Sequence, residues 1–257
     1  EGIGSPEDWI IRGGDGDSSW HGFGALADGF NMLDPIKSTI VTPGLDLDGN
    51  FADSGIPASI VTKFLAEHGV IVEKTGLYSF FIMFTIGITK GRWSSLLTAL
   101  QQFKDDYGRN QPMWRILPEF CRKYPRYENM GLRDLCQHVH ATYARHDIAR
   151  LTTDMYLTDV TPAMKPCDAY ACIAQRRTER VEIDHLEGRI TTSLITPYPP
   201  GIPLLVPGEA FNRTIVDYLK FSRELNRECP GFGTDIHGFV ELRDADGNLR
   251  YYVDCVR

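Results

Sequence analysis

Four groupings in this 257-residue chain carry side chains of the types that hold metals, phosphates or reacting substrates. Asp46-Leu47-Asp48-Gly49-Asn50 offers the alternating oxygen donors of a calcium loop. Its glycine is not at the sixth place, and Pro57 stands where the bidentate glutamate would be, so no cation is expected there. Gly13-Gly14-Asp15-Gly16 has glycine enough to cradle a phosphate, but no strand precedes it and no helix follows, and it reads as a loop. His138, His140 and His146 fall on or near one predicted helix without an i, i+4 pair to grip a metal; they read as ordinary surface or core histidines. Six cysteines (Cys121, Cys136, Cys167, Cys172, Cys229 and Cys255) lack the paired spacing of a zinc site and are expected to be reduced and structural. No metal is expected. An unrelated small-molecule enzyme built on His21 or a cysteine is disfavoured, because no His, Cys and acid triad has a recognisable local context.

The chain that must position any site is globular in make-up, with 42% hydrophobic and 24% charged residues. Lys+Arg 27 against Asp+Glu 34 leaves a net charge of −7, and no basic run offsets it, so nucleic acid and anionic membrane are not expected partners. The longest apolar stretch, Leu77 to Ile88, is too short to span a bilayer and reads as a buried strand. No secretion signal is legible at the N-terminus, and a cytoplasmic location is the default. The absence of Met at position 1 fits a chain that begins inside a longer product. The Asn212-Arg213-Thr214 sequon is taken as a chance match.

Glu1 to Gly29, rich in Gly, Asp and Ser, reads as irregular chain. The spacing predicts a strand over 38–42 stopped by Pro43-Gly44, then a helix over 57–68 with Pro57 as its first residue and Gly69 at its end. Strands over 70–73 and 78–86, separated by Lys74-Thr75-Gly76, precede a helix over about 92–107 whose Leu96, Leu97, Leu100, Phe103 and Tyr107 recur at helical intervals. This is a compact α/β unit, and the polar segment 108–112 marks its boundary. Beyond it, helices are predicted over 131–146, 162–175 and 214–226, strands over 180–183 and 189–196, an extended or turning proline-rich stretch over 197–207, and a final hairpin turning at Asp246-Gly247. The second half is therefore α+β.

Several segments occurring in one order carry a resemblance: Ser19-Trp20-His21-Gly22-Phe23, Leu33-Asp34-Pro35-Ile36-Lys37, Thr42-Pro43-Gly44, Gly55-Ile56-Pro57-Ala58, Glu73-Lys74-Thr75-Gly76, Pro197-Tyr198-Pro199-Pro200-Gly201-Ile202-Pro203 and Pro230-Gly231-Phe232. Together they resemble the bacterial lysine, ornithine and arginine decarboxylases of the aspartate-aminotransferase fold, over nearly the whole span from Ser19 to Val256. The resemblance implies that residues 1–107 are the small α/β subdomain of that fold and 108–257 the family's own C-terminal domain. It implies pyridoxal phosphate, bound by an upstream domain not contained here. That family holds the cofactor as a Schiff base on a lysine directly following a histidine, and none of the eight lysines here does so. Removing a carboxylate from an α-carbon leaves a carbanion whose electrons the pyridine ring absorbs as no side chain can, so the chain by itself is expected to be inactive, with no catalytic residue of its own.

The resemblance also implies roles. Glu73 corresponds to the carboxylate that receives the distal ammonium of the substrate. A carboxylate at a strand end beside Val72 and Tyr78 suits an amine on a long aliphatic stem, through a charge-assisted hydrogen bond. The competing reading is a solvated glutamate paired with Lys74. Tyr198 corresponds to the tyrosine of the Tyr-Pro-Pro-Gly segment near the substrate, stiffened by Pro199 and Pro200; the competing reading is a core tyrosine capping a buried carbonyl. Thr75 adjoins Glu73 as a candidate to orient it, and Trp20 and His21 are candidates to line the entrance; the competing reading for each is packing. The surroundings of Glu73 look closest to the lysine branch, so lysine leads as substrate, with ornithine second and arginine third. The family pairs chains around its active site and builds the pairs into larger rings. The rival reading is therefore a non-catalytic assembly or dimerisation module.

Overall fold

In the computed structural model, which describes residues 32, 34, 36–198, 201–244 and 249–257, the first unit is built on a short antiparallel sheet. β1 (Lys37–Val41) and β2 (Lys74–Thr75) flank β3 (Ser79–Met83), with Lys37 opposite Met83 and Thr75 opposite Phe80. Along β3 the alternation of the strand buries Phe80 and Ile82. α1 (Ala58–Glu67) turns Ala58, Ile60, Val61, Phe64 and Leu65 onto that face. α2 (Lys90–Gly108) packs beside it through Leu96, Ala99 and Phe103, and the Phe64 and Phe103 rings meet edge to face at 5.3 Å.

Four expectations for this unit need correction. Pro57 caps α1 rather than starting it. Residues 70–73 are not a strand: the Val70 N–H donates to the Leu65 carbonyl at the end of α1, Ile71 is 79% exposed, and pairing begins only at Lys74, inside the expected spacer. β3 ends at Met83 rather than 86: the Phe84 N–H still donates to the Ile36 carbonyl at 2.7 Å, but the ladder with β1 stops at the Lys37–Met83 pair. Leu97 faces out from α2.

The rest of the chain is α3 (Met113–Ile116), α4 (Pro118–Lys123), a 3-10 turn at Pro125–Tyr127, α5 (Leu132–Arg145), α6 (Ile148–Leu157), β4 (Thr161–Pro162), α7 (Pro166–Ala174), β5 (Thr178–Glu182), a 3-10 turn at Ile183–His185, β6 (Thr196–Tyr198), β7 (Glu209–Ala210), α8 (Arg213–Glu228), β8 (Asp235–His237), β9 (Val240–Arg243) and β10 (Leu249–Val256). Its strands form three small sheets, β5-β10-β9, β4-β7 and β6-β8. The expected final hairpin is present, Arg243 opposite Leu249, while its turn at Asp246-Gly247 lies outside the described residues. The helix expected over 162–175 begins only at Pro166, because Pro162 pairs with Glu209. The strand expected over 189–196 is mostly isolated bridges, because the Thr191 hydroxyl accepts from the Ser193 N–H at 3.0 Å and bends the chain there. Asn212 is the N-cap of α8: its side-chain oxygen accepts from the Ile215 N–H at 2.9 Å and its amide donates to Thr158 and Asp159.

One buried cluster runs from Ala58 to Cys255 and joins the two parts of the chain. Five of the cysteines are buried in or beside it, and burial pushes the Cys136 and Cys255 thiols up to about 12. No helix among the described residues is long and apolar enough to cross a membrane. On the surface, Arg223 grips Asp184 with two nitrogens, at 2.7 and 3.2 Å, and lowers the carboxyl's pKa. A depressed folded-state pKa stabilises above the unfolded value and is lost as pH falls through the folded one, so this clamp contributes above about pH 4 and fades below it. Asp184→Asn should accordingly flatten the acid limb of stability, read as the denaturant midpoint between about pH 5 and pH 2.

Candidate functional site

The two halves of the chain face each other across a cleft of about 340 Å³. One wall is the start of β2. The Glu73 N–H donates to the Phe81 carbonyl at 2.9 Å, which brings the residue to the sheet edge just before pairing begins. Its carboxylate is exposed and, among the described residues, forms neither an ion pair nor a hydrogen bond. The expected alternative, a pair with Lys74, is absent among those residues. Thr75 follows on the same wall, with Val72 as its apolar neighbour.

The second wall is the polar stripe of α1: Ser59, Thr62 and Lys63 stand at i, i+3 and i+4 and so share one face. The third comes from 125 residues further along the chain. Tyr198, at the end of β6, pairs with Asp235 across the β6-β8 ladder and stacks on His237 at 5.4 Å and 16° between ring planes. Gly201 makes that position possible: its φ is +80°, and a Cβ there would lie 2.6 Å from the tyrosine ring. Tyr198 is 57% exposed, which removes the reading of a core tyrosine. Gly231, Phe232 and Gly233 complete the lining. Phe232 is fixed by Phe120 at 4.8 Å and Tyr127 at 5.6 Å.

Glu73, Thr75 and Tyr198 thus line one cleft. Trp20, His21, Pro199 and Pro200 lie outside the described residues. His140 is a buried core residue, as one of the readings of the histidines had it: its Nε2 donates to the Ala52 carbonyl at 2.8 Å, and the Tyr78 hydroxyl donates to its Nδ1 at 2.6 Å.

The residue that the sequence reading missed is Lys63. Its ammonium lies 5.5 Å from the centre of the Phe120 ring and 5.7 Å from that of Phe232. Burial, then Lys123, pushes its pKa down, while Asp235 pulls it up. Among the described residues no carboxylate comes within 4.0 Å of it. The available signal was the Ser59, Thr62, Lys63 stripe, which as the polar face of an amphipathic helix looks like ordinary solvated surface.

An antiparallel edge, a polar helix stripe and a proline-flanked tyrosine meet in one cleft between two segments of a mixed α/β protein. Residues 2–92 match the Orn/Lys/Arg decarboxylase major domain and residues 149–257 the Orn/Lys/Arg decarboxylase C-terminal domain. Lysine decarboxylase LdcA of Pseudomonas aeruginosa is 44% identical over 97% of this chain and 33% of its own length. The inducible lysine decarboxylase of Escherichia coli K12 is 41% identical over 99% of this chain and 35% of its own. The structure of the E. coli constitutive lysine decarboxylase superposes with a TM-score of 0.85 at 37% identity, covering 100% of this chain and 36% of that one. The chain belongs to the Orn/Lys/Arg decarboxylase family, and corresponds to its C-terminal part. It spans about a third of the length of these relatives.

The family depends on pyridoxal phosphate. Of the two lysines that line the cleft, Lys63 has its ammonium set over two aromatic rings and Lys74 lies in a strand, and neither directly follows a histidine. Among the described residues of the cleft, neither lysine fits as the cofactor's holder.

Proposed function

We propose that this chain is the part of a cytoplasmic basic-amino-acid decarboxylase that recognises the distal end of the substrate, lysine first, ornithine second and arginine third. Residues 1–107 serve as the small subdomain of an aspartate-aminotransferase-like fold and 108–257 as the C-terminal domain, with the cofactor and its lysine supplied by an upstream domain. The observation that carries this reading is the convergence of Glu73, Thr75 and Tyr198 on one cleft, from positions 125 residues apart. Glu73 accepts hydrogen bonds from the distal ammonium, and the lack of a partner among the described residues leaves the carboxylate available. Thr75 orients it, Val72 and Phe232 flank the aliphatic stem, and Tyr198 borders the opening. Both relatives compared at 44% and 41% identity are lysine decarboxylases, which supports lysine as the first choice. The chain also pairs with a second copy, as part of a larger oligomer.

This reading expects the purified chain, mixed with pyridoxal phosphate and lysine, to release no carbon dioxide beyond the cofactor's own background. Joined to the upstream domain, it should release carbon dioxide from lysine in preference to ornithine and arginine. Sustained release by the chain alone, or no release from any basic amino acid by the joined protein, would overturn it.

A further inference from the structure

The cleft holds one carboxylate, Glu73, and two ammonium groups, Lys63 and Lys74, none of them ion-paired among the described residues. Lys63 is the unusual one. It is half-buried, its ammonium lies over two ring faces, and Asp235 acts on it only from beyond ion-pair distance. A lysine needed only for helix solubility would extend into water, as its flexible stem allows. This one is folded back over Phe120 and Phe232, and Phe232 is itself a wall of the cleft.

Resting on the reading of the cleft as the substrate site, we infer that Lys63 is a specificity-determining residue that favours the carboxylate-bearing amino acid over its diamine product. Substrate and product differ by one negative charge: decarboxylation replaces the α-carboxylate with a proton, and carbon dioxide leaves. A cation with no ion-pair partner among the described residues, placed near the bound molecule, attracts the substrate's carboxylate and has nothing to attract in the product, whose two amines are both cationic. Glu73 by itself cannot make this distinction, because substrate and product carry the same distal ammonium. Lys63 therefore opposes product retention at a site whose acidic residue would otherwise hold a diamine well.

The experiment uses the full-length holoenzyme, with lysine as substrate and 1,5-diaminopentane as the probe, bound in calorimetric titrations and as a competitive inhibitor. Lys63→Met keeps the stem over the rings and removes the charge. It should tighten diamine binding by about tenfold while the KM for lysine stays level or rises, whereas Lys63→Arg should keep the parent's diamine affinity. Lys63→Gln gives a second neutral variant should the methionine form fold poorly. Unchanged diamine affinity in the neutral variants, or diamine affinity and KM tightening by the same factor, overturns the inference. Glu73→Gln, run in parallel, separates it from the reading beneath it. If that variant weakens the diamine and the Lys63 variants do not tighten it, Lys63 alone loses its role; if Glu73→Gln leaves the diamine untouched, the cleft is not the substrate site.

Discussion

Replacing Glu73 by glutamine in the full-length enzyme is expected to raise the KM for lysine by roughly 30-fold, and to leave nearly unchanged the KM for an amino acid of similar length without a distal charge. Truncating one member of a desolvated, hydrogen-bonded charge pair costs about 2 to 5 kcal/mol, and each 1.4 kcal/mol is about a factor of ten. The lower end applies, because the Glu73 carboxylate is exposed in this chain and solvent would screen a bound ammonium. Glutamine keeps the size and one acceptor oxygen, so the loss reports charge rather than shape. The neighbouring geometry is insensitive to the change, since Glu73 is held at the sheet edge by its backbone N–H to Phe81. Steady-state kinetics with the two amino acids decide the matter: equal rises in KM would remove Glu73 from substrate choice.

A comparable effect on stability is expected from His140→Ala, about 3 kcal/mol or more, read as a lower denaturant midpoint at constant slope. The ring packs edge-on against Phe51 at 5.9 Å and Tyr78 at 5.7 Å, and its removal leaves a cavity in a buried place. It also strands the Tyr78 hydroxyl, whose pKa burial has already raised, and the Ala52 carbonyl. The surrounding backbone cannot readily close over the gap. Gly44, at φ +134°, lies against the Tyr78 ring, and Gly55 lies so close to His140 that a Cβ would fall 2.3 Å from Nδ1. These glycines belong to the Thr42-Pro43-Gly44 and Gly55-Ile56-Pro57-Ala58 segments that helped to mark the family. Their part is structural: they let two loops close on a Tyr78–His140 pair that ties the first sheet to α5. A loss below about 1 kcal/mol would mean that the loops are held by something other than this pair.

Much of this protein is legible in its sequence. Local signals identified α1, α2, α5 and α8, through apolar residues at helical intervals and, for α1, the flanking Pro57 and Gly69, and the order of short motifs was enough to mark the family. Glu73, Thr75 and Tyr198 were named from those motifs. What failed locally were the stretches at 70–73, 162–165 and 189–196, where β-rich or helix-like composition was overridden by a helix-end hydrogen bond, by pairing with Glu209 and by a hydroxyl-backbone turn. Such contacts are made with partners whose positions the local pattern does not contain. The same reason applies to the site. That Glu73 and Tyr198 share a cleft depends on how β2 and β6 are brought together by a core spanning both halves of the chain, and Lys63 became visible only when Phe120 and Phe232, 57 and 169 residues downstream, closed under its ammonium. Residue types and short-range spacing are written in the sequence; which charges end up facing one another across a gap is settled by packing between distant segments, and so belongs to the tertiary structure.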